Sequence, residues 1–133
     1  MKLVISGDVP ALKNQKQIFV NKRTGKPFIT SSVRSKAWQA TAVDQLRDQF
    51  KGLKVSGYPI GIAMEFYYPT KRAKDLDNSV SAALDALVHA GVIEDDNINF
   101  VDNISVSIGG YHISASFGGY DKEDPRCVIY LDD

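Results

Sequence analysis

Two aspartates stand two apart at Asp75 and Asp77, with Asn78 next, directly before a run of helical periodicity. Two more, Asp95 and Asp96, stand side by side just beyond that run. Carboxylates in that number suit a hard divalent cation. Magnesium takes oxygen ligands in near-octahedral geometry, usually one or two carboxylates plus water and phosphate. The chain before a helix is extended, so residues two apart there point to the same side, as they cannot within the helix. A helix N-terminus also favours a bound anion. A phosphate between metal and helix end would be held from both directions. For Asp95 and Asp96 to join this site, the chain must turn back after the helix and lie beside the first pair.

Each piece also has a plainer explanation. Asp at a helix start is commonly a cap. Asp95-Asp96-Asn97 between strands is commonly a turn. Asn78 can hydrogen-bond locally. Asp85 reads as an exposed helical acid and His89 as a solvated side chain. A calcium EF-hand beginning at Asp75 is excluded, because Val80 stands where that loop needs Gly and Ala86 where it needs Glu.

The element that positions these groups is a helix. Leu76, Val80, Ala83, Leu84, Leu87 and Val88 form an amphipathic stripe closed by Gly91 as a C-cap signal. Its opposite side carries Asp77, Asn78, Ser81, Asp85 and His89. Upstream, residues 2–8 predict a strand stopped by Pro10. Gln17–Val20 and Pro27–Thr30 predict a hairpin whose tip holds Lys22, Arg23 and Lys26, with Gly25 suited to positive φ. Ser31-Ser32 offers an N-cap for a helix over Val33–Lys51, with Trp38, Ala42, Val43, Leu46, Phe50 and Leu53 on one arc. Trp38 therefore reads as core. Arg34 and Lys36 sit in the first turns, where the macrodipole disfavours cations, a conflict that a facing phosphate would resolve. Ile60–Tyr68 alternates as a strand with one buried face and ends at Pro69. The basic loop Thr70-Lys71-Arg72-Ala73-Lys74 then delivers the chain to Asp75. Val101–Ile108 and Tyr111–Phe117 resemble a second hairpin, and Cys127–Leu131 a closing strand.

At 133 residues the chain predicts one domain, 1–133, large enough for a real core. Its 44% hydrophobic and 24% charged residues are ordinary for a soluble globular protein, and no apolar run approaches a membrane span. The first eight residues are too short and too soon acidic for a signal peptide. The lone Cys127 cannot pair internally, which points to a reducing cytoplasm and to a small residue packed in a strand. Net charge is zero, but residues 1–74 hold 14 Lys/Arg against 4 Asp/Glu, and residues 75–133 hold 2 against 12. Local field decides what a surface attracts, unless the halves intermix in the fold and cancel.

Taken together, Lys71-Arg72-Ala73-Lys74, Asp75-Leu76-Asp77-Asn78, Leu84-Asp85-Ala86-Leu87, Ala90-Gly91-Val92 and Asp95-Asp96 resemble, without a gap, the central motif of the RusA family of Holliday junction resolvases, common in bacteria and their prophages. The chain length, the strand ending at Pro10 with Lys13-Asn14 after it, and the long Trp38 helix also fit. The resemblance implies an α+β fold, a small mixed or antiparallel sheet with two main helices, assembled as a homodimer. It implies a cytoplasmic endodeoxyribonuclease that binds four-way DNA junctions and cuts symmetric strands with Mg2+, or Mn2+ in its place. It implies that Asp75, Asp77 and Asp96 are the essential metal-binding aspartates and that Asp95 and Asn78 accompany them. Lys71, Arg72 and Lys74, with Lys22, Arg23 and Lys26, would contact DNA backbone. One departure stands out. The family typically carries a catalytic lysine four residues after the second aspartate, and here that position is Ser81. Lys74 or Lys71 would then reach in, or a second metal would serve, or activity is weak. Two further readings remain open: a junction-binding protein that has lost the chemistry, and a magnesium phosphohydrolase acting on nucleotides.

Overall fold

The structure is a computed structural model that describes residues 1–10, 16–31, 33–52, 55, 57–70, 76–108 and 120–132, with backbone alone for 16–19, 28–31 and 33. Its elements run β1 (Lys2–Ser6), β2 (Lys16–Val20), β3 (Pro27–Ser31), α1 (Val33–Phe50), β4 (Ile60–Tyr67), α2 (Leu76–His89), β5 (Val101–Ile108) and β6 (Arg126–Leu131). A four-stranded sheet has the order β1-β6-β4-β5, and β2-β3 form a separate antiparallel hairpin. β6 is antiparallel to both β1 and β4, whereas β5 is parallel to β4. The expected α+β class, with a mixed sheet and two main helices, is the observed one.

Strand alternation explains the core. On β4, Ile60, Ile62, Met64 and Phe66 are buried, and Leu3, Ile5, Cys127, Ile129 and Leu131 join them from β1 and β6. α1 adds Trp38, Ala42, Leu46 and Phe50, and α2 adds Ala83, Ala86 and Leu87, so the arcs read from sequence are the faces that pack. Leu53 and Ser32 of that reading lie outside the described residues, as does the Tyr111–Phe117 strand.

Two features differ from the sequence reading. β6, from the acidic half of the chain, lies between β1 and β4, from the basic half. The charge division along the sequence is therefore not a division between two halves of the sheet. And Arg34, at the start of α1, is ion-paired with Asp8, just past β1. A protein carboxylate, not a phosphate, offsets that cation at the helix N-terminus.

The free side of β1 is closed by side chains from α1. Gln49 accepts from the Val4 N–H at 2.8 Å and donates to the Val4 carbonyl at 2.6 Å. Gln45 accepts from the Ser6 N–H at 2.7 Å. An edge strand left with unpaired backbone groups is a template for unwanted pairing, and two glutamines a helical turn apart remove it here.

Burial pushes the Cys127 thiol up to about 12, from 9.0. A raised pKa means the folded state keeps a proton that the unfolded chain releases. The resulting stability is present in full below about pH 9 and is lost as pH rises toward 12. Cys127 should resist alkylation at pH 8 until denaturant unfolds the protein, and Cys127→Ala should flatten the alkaline fall in denaturation midpoint. Labelling of the native protein at the rate of a free thiol would contradict this packing.

Candidate active site

α2 begins at Leu76, and Asp77 lies in its first turn, exposed, where the helix dipole favours a carboxylate. Asn78 is half-buried, and Ser81 and Asp85 are exposed one and two turns along from Asp77. Asp75, Lys71, Arg72 and Lys74 lie outside the described residues.

Between these surface groups, Ser79 is turned fully inward. It is 0% exposed and hydrogen-bonds the Tyr68 hydroxyl at 2.7 Å, beside the end of β4. Burial raises the Tyr68 phenol above its ordinary pKa, so it stays protonated. The strand end is fixed independently. Asp121 N–H donates to the Tyr68 carbonyl at 2.8 Å, and the Arg126 guanidinium lies 3.8 Å from the centre of the Tyr67 ring. Arg126 also donates to Asp121 at 2.8 Å and holds that carboxyl below its usual range.

The far end of α2 shows how the chain turns back. Gly91 adopts φ 79°, the Gly91 N–H reaches the Val88 carbonyl at 3.0 Å, and the Val92 N–H reaches the Leu87 carbonyl at 3.0 Å. This is a Schellman cap, and a Cβ at position 91 would be strained by the positive φ. Val92 and Ile93 then bury against the core, and Glu94 N–H meets the Tyr58 hydroxyl at 3.3 Å. The acidic turn follows. Asp95 accepts from the Asp96 N–H at 2.8 Å and from Asn97 Nδ2 at 3.1 Å, while Asn97 accepts from the Asn99 N–H at 2.9 Å. Asp95 thus shapes the turn with both carboxylate oxygens, and Asp96 is the acid the turn presents.

Asp96 lies within electrostatic reach of Asp85. The Asp85 carboxyl is raised above its ordinary pKa by partial desolvation first and by the Asp96 charge second, with His89 opposing. Sequence reading had no signal for this pair, because Asp85 on the polar side of a helix looks like any solvated acid. Asp77 and Asp85 are eight residues apart, about 12 Å along the helix at 1.5 Å per residue. Among the described residues, no group of three or more Asp, Glu, His or Cys side chains is set to hold a metal ion. The acids brought together here are Asp85 and Asp96. Both are exposed oxygen donors, the ligand type that hard cations such as Mg2+ and Mn2+ take. Asp77 stands in the same helix's first turn and has no ion-paired cation among the described residues.

The cations expected on the hairpin are displayed as expected. Lys22, Arg23 and Lys26 are exposed on the β2-β3 tip. The tip is held by Asn21, whose side chain accepts from the Arg23 N–H at 2.9 Å and whose backbone pairs with Gly25 and Lys26 at 2.7 and 2.9 Å. Gly25 takes φ 71°, so the tight turn fits glycine.

Comparison with known proteins agrees with the sequence resemblance. The family model for endodeoxyribonuclease RusA matches residues 8–131. A crossover junction endodeoxyribonuclease RusA from Aquifex aeolicus (strain VF5) is 34% identical over 82 residues, covering 62% of this chain and 63% of that relative. The matched stretch is thus a little under two thirds of the relative's length. With nearly the whole chain matched by the family model, and the helix and acidic turn of the motif in place, the chain belongs to the RusA endodeoxyribonuclease family.

Proposed function

We propose that this protein is a divalent-metal-dependent endonuclease that resolves four-way DNA junctions by paired, symmetric nicks. This reading rests on the family match, supported by the return of the chain after α2, which brings the acidic turn within electrostatic reach of Asp85. Like charges held together on an exposed surface repel, and a bound cation removes that repulsion. Asp75, Asp77 and Asp96 are the residues assigned to hold the ion, with Asp95 shaping the turn and Asp85 close by. Magnesium, when bound, supplies an acidified water and neutralises charge on the phosphate. Lys71, Arg72 and Lys74 position the DNA backbone near the scissile bond, and Lys22, Arg23 and Lys26 on the stiff hairpin tip reach more distant phosphates. Asn78, half-buried at the helix start, orients the adjacent backbone.

Ser81 is exposed on the same side of α2 as Asp77, where the family's lysine would stand. A serine is uncharged and too short to steady a phosphate as an ammonium does. Lys74 or Lys71 takes that part in this reading. Junction symmetry calls for two equivalent sites, which a two-fold dimer supplies. Exposed apolar side chains that a partner could cover are Leu76 of α2, 38% exposed, and Ile104 and Ile108 of β5, 40% and 43% exposed. The second reading, a junction binder with weak or no cleavage, is favoured by Ser81 alone. Among the described residues, no helix is long and apolar enough to cross a membrane.

The decisive assay is a labelled four-way junction with Mg2+, with mononucleotides as a control substrate. The protein should produce paired nicks. Asp77→Asn should cut at least about a hundredfold more slowly while binding the junction as well as before. Intact junction with the unmodified protein would leave only the binding reading, and turnover of mononucleotides alone would replace the reading altogether. If the six cations of one protomer neutralise phosphates, affinity should fall about a thousandfold between 50 and 200 mM salt, and more steeply where both protomers engage. Replacing Lys71 and Lys74 together with Ala should slow cleavage and flatten that dependence, and unchanged rates would remove both lysines from the mechanism.

Asp85 and Asp96 offer a separate check. In chelator, Asp85→Asn and Asp96→Asn should each raise the melting temperature at neutral pH, and the double variant should gain less than the sum. Full additivity would mean that the two carboxylates do not interact.

A further inference from the structure

We infer that the buried Tyr68–Ser79 hydrogen bond is a clasp that positions the metal-binding carboxylates, making Tyr68 and Ser79 positioning residues for divalent-cation binding. The inference rests on the metal-dependent reading above and goes beyond it, since neither side chain is a ligand.

The bond joins the two ends of one segment. Tyr68 stands just after β4, Ser79 is the fourth residue of α2, and the hydroxyls meet at 2.7 Å. Between them lie the basic loop, Asp75 and Asp77. One contact therefore closes the loop that carries most of the residues assigned to the ion and the DNA backbone. The Ser79 Oγ also lies 3.5 Å from the Pro10 carbonyl, at the long limit for a second bond.

Geometry makes this contact matter to the acids. Helical residues step by about 100°, so Ser79 facing the core sets Asp77, two residues back, on nearly the opposite side. The exposures agree, with Ser79 fully buried and Asp77 exposed. If α2 rolled about its axis by roughly 10°, a carboxylate ~6 Å from that axis would move about 1 Å, enough to spoil a reacting geometry.

The rest of the helix's buried face is apolar packing, in which Val80, Leu84 and Val88 also take part. Ala83, Ala86 and Leu87 are apolar, and apolar contact has no direction. Ser79 is the polar side chain fully buried on α2, and its partner cannot shift to follow it. Tyr68 is held through its carbonyl by Asp121 and through its neighbour Tyr67 by Arg126. At its far end α2 is tied to α1 by the Arg47 guanidinium, which donates to the His89 carbonyl at 3.3 Å; at the end that carries Asp77, the Tyr68–Ser79 bond gives a directional link to a fixed strand end, and so register, as single buried polar pairs do elsewhere.

The test separates positioning from ordinary packing. Tyr68→Phe and Ser79→Ala each delete one oxygen of the bonded pair. The double variant deletes both, and paired removal of hydrogen-bond partners is close to neutral for stability. In full-length protein, Mn2+ binding is measured by calorimetry without DNA, and melting temperature is measured in chelator. Junction affinity in chelator is the control. Each single variant should lose melting temperature and bind Mn2+ about tenfold more weakly. The double variant should recover most of the melting temperature yet keep the weakened Mn2+ binding, and junction affinity in chelator should stay within about twofold throughout. Mn2+ binding that recovers along with stability would reduce the pair to packing and overturn the inference. So would unchanged Mn2+ binding in both single variants. Failure of the unmodified protein itself to bind Mn2+ would bring down the metal-dependent reading as well, an outcome distinct from the other two.

Discussion

The arrangement depends on one topological constraint: β4 and β5 are parallel neighbours in a sheet that is otherwise antiparallel. Antiparallel strands can be joined by a tight turn, whereas parallel ones need a crossover, usually a helix. α2 is that crossover. The crossover starts where β4 ends and finishes before β5 begins, so the acids before and after the helix are separated by its length unless the chain doubles back. The Schellman cap at Gly91, the burial of Val92 and Ile93 and the Asp95 turn carry out that return. Asp96 reaches the side of α2 because three local devices act in succession, each stabilised by its own hydrogen bonds or buried area.

Much of this was legible in the sequence, for identifiable reasons. A stripe repeating every three or four residues allows only one packed face, so the span and buried side of α2 followed from Ala83, Leu87 and their neighbours, and Gly91 marked its end. β4 was legible because alternation over eight residues has no helical equivalent. Cys127 and Trp38 were placed correctly because their types and spacing gave burial the advantage. What escaped was long-range pairing. Nothing in a local window says that β6 inserts between β1 and β4, and so the charge division at Asp75 suggested two halves that the sheet interleaves. The Arg34–Asp8 pair spans 26 residues, and Gln49 meets Val4 across 45. Polar side chains on helix surfaces look solvated until the strand they serve is known. Asp85 belongs to the same class. Its neighbour Asp96 is eleven residues away and reaches it only through the cap and turn.

The electrostatics of the acidic face point in one direction. Protein interiors and surfaces usually place opposite charges together, and Arg126 with Asp121, or Arg34 with Asp8, shows this fold doing so. Asp85 lies within reach of the Asp96 charge, and its proton affinity is lifted by partial desolvation first and by that like charge second. His89, one turn beyond Asp85, offsets only part of that effect. A fold that needed only a solubilising surface would gain nothing from bringing an acidic turn back against an acidic helix side. A bound cation would offset that repulsion, which links the charge of this surface to the chemistry proposed for it.

Ser79 and Ser81 show how closely that chemistry depends on helix azimuth. They are two residues apart, about 200° around the helix. One is sealed against Tyr68 and the other is open to solvent. Had α2 been held by apolar contact alone, its exposed acids would share whatever rotational freedom that contact permits. A hydroxyl pair in a dry environment has an angular preference that leucines and alanines lack. Ser81 is small and exposed one turn along from Asp77, so it adds neither charge nor much bulk to that side of the helix. In the proposed reading a lysine from the sequence between β4 and α2 supplies the charge that Ser81 lacks, so that the ammonium is not built on the helix.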